Sequence, residues 1–376
     1  MVRADKPIVA RGYQHSHPTG RLNLNAKAWR RLRKVYADQP ISAAVNQKNH
    51  FAGLWLSILE RMTISLSKSP VEPFHLPLLF IIGHWRSGTT FLHELLCSDP
   101  QFNFPTTYAC MNPQVFPLTE SAVLQRSAVR TTVRPMDKMS VSLASPQEDE
   151  FALLALAAPS PYECLLFPRV LERSMAVADP EDLPESQKQV WIRIFTQFLA
   201  HVAARKPGRA VVLKSPTHSY RVRLLSRLFP DARFIHIVRN PIEVYHSTIN
   251  MWTRLFSHYA LTDLPDDNAL TTQVIANWIR MEKKLDTAIP QLGAENYVRV
   301  TYEDLVAHPL KELEAIYCKL KLKNFDAAVP HVQRYVVTRA HFEKNQFKLT
   351  AYQANENFNA WRPIFQKYGY PEPSPS

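Results

Sequence analysis

Three cations and a run of acids stand where this chain could do chemistry. Arg86 lies inside Gly83-His-Trp-Arg-Ser-Gly-Thr-Thr90, Lys214 closes the apolar run that starts at Ala210, and Arg239 follows the apolar run Arg233–Val238. The first segment has a glycine at each end of a short turn, an apolar run before it (Leu78–Ile82) and apolar residues at helical spacing after it (Phe91, Leu92, Leu95, Leu96). Strand, glycine-bounded loop and helix together aim backbone N–H groups and a helix dipole at an anion. Gly83 and Gly88 match the nucleoside-triphosphate loop G-x-x-x-x-G-K-[ST], but Thr89 replaces its lysine and the cation sits at Arg86. A threonine cannot reach β- and γ-phosphates, so the loop suits a phosphate or sulfate group without suiting ordinary ATP hydrolysis.

The acids are Glu148, Asp149 and Glu150, in Ser145-Pro-Gln-Glu-Asp-Glu-Phe151. Ser145 and Glu148 have capping-box spacing and Pro146 suits a first helical position, which predicts a helix starting there. A single cap does not need three consecutive acids, so a carboxylate held to accept a proton is the functional alternative. His218, four residues after Lys214, is a further candidate base because an unperturbed imidazole titrates near neutrality.

Alternating elements must position these groups. Strands are expected at Leu78–Ile82, Ala210–Lys214, Arg233–Val238 and Tyr297–Thr301, with helices between them. Residues 151–209 read as helical, with breaks near Pro159–Pro161 and Pro180–Pro184, and further helices are expected over 268–289 and from Pro309. Asn240-Pro241 is a cap followed by a first helical residue, and Ser247 falls two turns on, on the face of Asn240. This pattern predicts an α/β, P-loop-like three-layer fold: a mostly parallel sheet flanked by helices, with helical insertions. Ligands in such sheets bind at the carboxyl ends of the strands, which is where Arg86, Lys214, Arg239 and Tyr302 fall.

The expected divisions are an N-terminal arm and helices packed on the core (1–75), an α/β domain (76–326) with an acceptor-side insertion (about 100–205), and a tail closing over the site (327–376). Trp29, Leu32, Val35 and Tyr36 share one face of a basic helix, and Phe51, Leu54, Trp55, Ile58, Leu59 and Met62 share a face of the next. The basic helix could lie on a membrane surface, but packing on its own domain is the favoured reading. Residues 1–40 hold nine Lys/Arg against two Asp/Glu, seven of the twelve net positive charges. The remainder is mildly basic, as befits an anionic ligand, and no nucleic-acid signature appears. Cys97, Cys110, Cys164 and Cys318 are scattered in apolar surroundings, which predicts four buried thiols. With no leader-like or membrane-spanning segment, the plain reading is a soluble, cytoplasmic protein.

These residues resemble a known family. Gly83–Leu92 resembles the 5′-phosphosulfate loop of sulfotransferases, and Arg233-Phe-Ile-His-Ile-Val-Arg-Asn-Pro241 with Ser247 resembles their 3′-phosphate motif. Leu213-Lys-Ser-Pro216 and Thr301-Tyr-Glu-Asp-Leu305 resemble segments of the branch that includes protein-tyrosine and bacterial sulfotransferases. The resemblance runs from about Leu78 to about Leu320 and implies transfer of a sulfuryl group from 3′-phosphoadenosine 5′-phosphosulfate to a hydroxyl or amine, with no metal. It implies that Arg86, Ser87, Gly88, Thr89 and Thr90 hold the 5′-phosphosulfate, that Arg239 and Ser247 hold the 3′-phosphate, and that Tyr302 lies near the adenosine. Lys214 resembles the lysine that stabilises charge on the bridging oxygen, a role in which Arg86 is a second candidate. The glutamate base of the tyrosine-directed enzymes has no counterpart, because that region reads Asn103-Phe-Pro-Thr-Thr107. Glu148, Glu150 and His218 remain the candidate bases.

Two other classes compete. A P-loop kinase or nucleotide hydrolase needs the missing lysine and a metal-binding aspartate, and a non-catalytic nucleotide-binding scaffold would have lost Lys214 or the loop hydroxyls. The aromatic and methionine residues between 100 and 160 favour an apolar, lipid-like acceptor, with a glycan as the other option because aromatics also stack on sugars.

Overall fold

The structure is a computed structural model that describes residues 22–67, 75–127, 131–133, 140–339 and 358–372. Two helices come first, α1 (Ala26–Val35) and α2 (Ala43–Leu66), followed by β1 (Leu78–Ile82), α3 (Thr89–Cys97) and the two-residue strand β2 (Phe102–Asn103). The insertion holds α4 (Thr107–Met111), α5 (Phe116–Ser127), the antiparallel pair β3 (Thr131–Val133) and β4 (Ser140–Ser142), α6 (Glu150–Ala155), α7 (Leu171–Ala176) and α8 (Glu185–Ala204). The chain then returns through β5 (Ala210–Lys214), α9 (Val222–Leu228), β6 (Arg233–Val238), α10 (Pro241–Tyr259), α11 (Asp267–Ala288) and β7 (Tyr297–Thr301). It ends in α12 (Tyr302–Ala307), α13 (Pro309–Lys319), α14 (Phe325–Arg339) and α15 (Phe358–Tyr368).

The main sheet is parallel, in the order β2-β5-β1-β6-β7. β1, β5 and β6 are buried on both faces, as a sheet covered on both sides requires, whereas the edge strand β7 exposes Arg299. Alternate residues of β1 face opposite layers. Leu78, Phe80 and Ile82 join a core with α8, α9 and α11, and Leu79 and Ile81 join another with α3, α12 and α13. The expected three-layer fold and its four main strands are thus present. β2 escaped the reading because two residues carry no periodicity.

The strand order puts β1 between β5 and β6, with Ile81 level with Lys214 and Ile82 level with His236. The chain adds β2 and β5 on one side of β1 and then crosses over to add β6 and β7 on the other, so the carboxyl end of β1 is a switch point where a crevice opens. Thr301 is level with Val238, which brings Tyr302 beside Arg239.

Several expectations change on contact with the structure. α1 does pack on its own domain, through Trp29 and Leu32, with Tyr36 just beyond it, whereas Val35 is exposed. α2 forms, but its apolar face points outward. The capping box at Ser145 is not made: α6 starts only at Glu150, and Ser145 Oγ instead accepts from the Ser142 N–H at 3.0 Å. All four cysteines are free, but only Cys110 and Cys164 are buried; Cys97 is half-buried, and Cys318 is exposed because Leu313, Ile316 and Tyr317 take the inner face of α13. The described residues of the tail are largely helical. α15 buries Trp361, Ile364 and Phe365, and its Lys367 pairs with Glu282 of α11. The start of the N-terminal arm, two of the methionines between 100 and 160 (Met136 and Met139) and residues 340–357 of the tail lie outside the described residues.

Candidate active site

The turn between β1 and α3 is held from several sides. Ser219 donates its hydroxyl to the Gly83 carbonyl at 3.1 Å and accepts the Gly83 N–H at 2.9 Å. Ser87 Oγ donates to the His84 carbonyl at 2.8 Å, and Thr248 Oγ1 donates to the Trp85 carbonyl at 3.3 Å. Gly83 has φ +146°, and a Cβ there would stand 2.4 Å from the Ile237 carbonyl oxygen. Gly88 has φ +102°, and its Cβ would stand 2.3 Å from Tyr302 Cδ2. Both glycines are therefore required by close backbone approach as well as by conformation. His84 is turned inward, stacked on Trp278 at 4.3 Å, and burial lowers its pKa to about 4. What the turn presents outward is the start of α3, whose first N–H groups have no partner within the helix.

Thr90, in that first turn, meets the end of β5. Lys214 Nζ donates to Thr90 Oγ1 at 3.3 Å and to Glu148 Oε1 at 2.6 Å. Lys214 is 2% exposed and Glu148 12%, so the pair is largely buried, with Glu148 on its more open side. The other carboxylate oxygen of Glu148 accepts from the Tyr162 hydroxyl, which in turn accepts from the Trp85 indole N–H at 3.2 Å. Burial, and then the Glu148 charge, push the Tyr162 phenol well above its ordinary pKa, so it remains a donor. A cation, a carboxylate and a helix N-terminus thus converge on one spot.

A second cluster lies at the β6 side of the turn. Arg86 has φ +69° and donates from Nε to Ser247 Oγ at 2.8 Å. Arg239 donates to the Arg86 carbonyl at 3.3 Å and lies over the Tyr302 ring at 4.3 Å. Its Nε is buried without a partner. Its ion pair with Glu243 is half exposed on the carboxylate side and so exchanges at little cost for another anion. Two guanidinium groups, a hydroxyl and an aromatic face form a ready anion site beside a planar surface.

A family model described as the sulfotransferase family matches residues 77–327. The chain belongs to the sulfotransferase family. It is an enzyme that transfers a sulfuryl group, and the phosphosulfate donor expected from the loop agrees with that membership. The omega-hydroxy-beta-dihydromenaquinone-9 sulfotransferase Stf3 of Mycobacterium bovis is 35% identical over 330 residues, which cover 87% of this chain and 83% of that protein. Human carbohydrate sulfotransferase 6 is 26% identical over 313 residues, 76% and 74% of the two chains. Among solved structures, sulfotransferase STF9 from Mycobacterium avium superposes with a TM-score of 0.62 at 20% identity, covering 92% of this chain and 91% of that one. STF1 from Mycobacterium tuberculosis gives 0.60 at 16%, covering 82% and 87%. Both share the fold.

With the sulfotransferase frame in place, the three acids separate. Glu148 alone reaches Lys214. Asp149 is buried and bonded to Ser215 at 2.8 Å and to His218 Nε2 at 3.0 Å. Burial works to raise its pKa, but the attraction of His218 and the hydrogen bonds of His218 and Ser215 leave it lowered. Glu150 is buried against Arg221 at 2.6 Å and also accepts from Ser160 and Thr217, each at 2.6 Å. Arg221 itself lies over Trp191. His218 is fully buried, edge-on to Phe80 and Phe195. Asp149, Glu150 and His218 are thus committed to holding the insertion onto the sheet. The side chain of Arg86 turns to Ser247 rather than to Lys214. Tyr162, Trp85, Ser219 and Thr248 were not anticipated, because nothing in their local sequence marks them out. Among the described residues no His, Cys, Asp or Glu cluster is placed to hold a metal ion.

Proposed function

We propose that this sulfotransferase takes its sulfuryl group from 3′-phosphoadenosine 5′-phosphosulfate and transfers it in line to the hydroxyl of a lipid-like acceptor. The contact that carries this reading is Lys214 Nζ held between Glu148 and Thr90 at the start of α3. Gly88, Thr89 and Thr90 open that helix and would hold the 5′ end through N–H groups and hydroxyls, with Ser87 bracing the turn. Arg239, with its unpartnered buried Nε, joins Arg86 and Ser247 around the 3′-phosphate, and Tyr302 supports Arg239 from beneath. The donor supplies the sulfuryl group and a leaving phosphate oxygen. Lys214 places its charge where that oxygen becomes negative, an interaction that strengthens in the transition state. Glu148 takes the acceptor's proton, and Tyr162 and Lys214 hold its two oxygens in position. Glu150 and His218 give way to Glu148 because both are shut away from solvent, Glu150 against Arg221, Ser160 and Thr217, and His218 with Nε2 on Asp149 and Nδ1 buried without a partner.

The lipid-like acceptor is favoured over a glycan by the 35% identity to a relative named for a menaquinone derivative, against 26% for the carbohydrate enzyme. The donor is tested by thermal shift. Adenosine 3′,5′-bisphosphate is expected to raise the melting temperature and ATP with magnesium is not. Stabilisation by ATP–magnesium alone would return the site to the kinase and hydrolase class.

A further inference from the structure

α2 turns the wrong side to its own protein. The side facing α1 is small and polar. A Cβ on Gly53 would stand 3.1 Å from the Ala26 nitrogen. Ser57 Oγ accepts the Ala26 N–H at 3.0 Å, Glu60 accepts from Asn25 at 2.8 Å, and Asn46 accepts from the Trp29 indole at 3.1 Å. Only Gly53 and Thr63 of its 24 residues are buried. On the other side Phe51, Leu54, Trp55, Ile58 and Met62 recur at i, i+3, i+4, i+7 and i+11, all exposed, with Phe51 and Trp55 at 61%. A continuous apolar stripe of this kind is costly in water and marks a surface that is covered in use.

Charge selects what covers it. Lys48 and Arg61 are exposed on α2, and its lone acid, Glu60, is turned to Asn25. α1, packed alongside, has no acid and exposes Lys27, Arg30 and Lys34 at i, i+3 and i+7. An apolar stripe bordered by cations complements anionic headgroups over an acyl layer, with aromatics suited to the boundary between them. A second copy docked symmetrically on the stripe would bring like charges together. No helix among the described residues is long and apolar enough to cross a membrane. At about 36 Å, α2 is long enough to lie along one.

We propose that α2 docks on the surface of an anionic phospholipid bilayer, its stripe in the acyl–headgroup boundary, Lys48 and Arg61 on the phosphates beside it, and the bases of α1, behind α2, adding a longer-range attraction. The proposal takes its purpose from the lipid-like acceptor, since it brings the enzyme to the phase where such a molecule dissolves. Its evidence is independent of that acceptor.

The test is co-sedimentation of the full chain with phosphatidylcholine vesicles, with and without an equal amount of phosphatidylglycerol. Binding is expected to the mixed vesicles and to weaken with salt. A Trp55→Ser/Ile58→Ser double variant is expected to bind at least about tenfold more weakly. Both positions are exposed, so its melting temperature and its stabilisation by adenosine 3′,5′-bisphosphate should match the parent. Absence of wild-type binding, or equal binding by the variant, overturns the proposal. So does a dimer by light scattering that the double variant dissolves, which would make the stripe a contact between copies. A variant that melts lower and leaves vesicle binding unchanged would show instead that another segment of the chain covers the stripe. Vesicle binding involves no turnover, so its failure leaves sulfuryl transfer and the acceptor reading intact.

Discussion

Glu148→Gln separates chemistry from binding more cleanly than any other change in the site. The amide keeps the shape of the side chain and an oxygen for the Tyr162 hydroxyl, but it can no longer take a proton. A positioned general base contributes about 10²–10⁴ in rate, so turnover should fall by that factor. The same change strips Lys214, 2% exposed, of the carboxylate it meets at 2.6 Å. Breaking a fully buried pair costs about 3–5 kcal/mol, and the lower end applies here because Glu148 is partly open to solvent and Thr90 still contacts the ammonium. The melting temperature should therefore drop measurably without loss of the fold. Adenosine 3′,5′-bisphosphate should bind within about tenfold of the parent, because its proposed partners Arg86, Arg239 and Ser247 are untouched. Steady-state turnover with radiolabelled donor, calorimetric titration and thermal melting read the three quantities. Turnover within about tenfold of wild type, with binding intact, would refute the assignment of Glu148 as base.

Arg239→Ala should weaken adenosine 3′,5′-bisphosphate by about 10–100-fold in calorimetry, the worth of a charge-assisted hydrogen bond, and unchanged affinity would remove Arg239 from the 3′ site. Glu150→Gln should act on folding, since it leaves Arg221 buried without its counter-charge. A loss of about 3–5 kcal/mol in urea unfolding is expected, and a fully stable protein that has lost turnover would restore Glu150 as a base candidate. Acid should also destabilise the fold. Burial lowers the pKa of His84 to about 4 and those of His93 and His236 to about 3, against an unfolded value of 6.5. These histidines stay neutral in the fold while the unfolded chain binds their protons. The stability they allow is complete above the unfolded value and is lost as pH falls toward their folded values. Between pH 6 and 4 the slope approaches about 4 kcal/mol per pH unit for three such groups. A melting temperature equal at pH 7 and pH 5 would contradict this.

The four main strands, their parallel arrangement and the cations at their ends were legible because β1, β5 and β6 are short apolar runs that stop at a glycine or a cation, and β7 alternates valine with polar residues before Tyr302. Lys214, Arg239 and Tyr302 stand where those runs stop, and the glycine spacing shows the turn directly. Partners across the chain were not legible. Glu148, Asp149 and Glu150 look alike in sequence, and only the fold assigns them to Lys214, His218 and Arg221. Tyr162 reaches Glu148 from a proline-rich break that has no periodicity to read. α2 marks a different limit: its spacing shows an apolar face, but spacing alone does not say on which side the protein lies.

In the proposed mechanism Lys214 stabilises charge in the transfer of a sulfuryl group from the nucleotide donor, and that role sets the chemistry apart from binding. It is tested most directly by following radiolabelled sulfur from 3′-phosphoadenosine 5′-phosphosulfate to a long-chain isoprenoid alcohol, with wild type and Lys214→Ala side by side. Labelled alcohol is expected from wild type and almost none from the variant, with similar affinity of both proteins for adenosine 3′,5′-bisphosphate. Equal labelling by the two proteins, or turnover and affinity falling by the same factor, would contradict it.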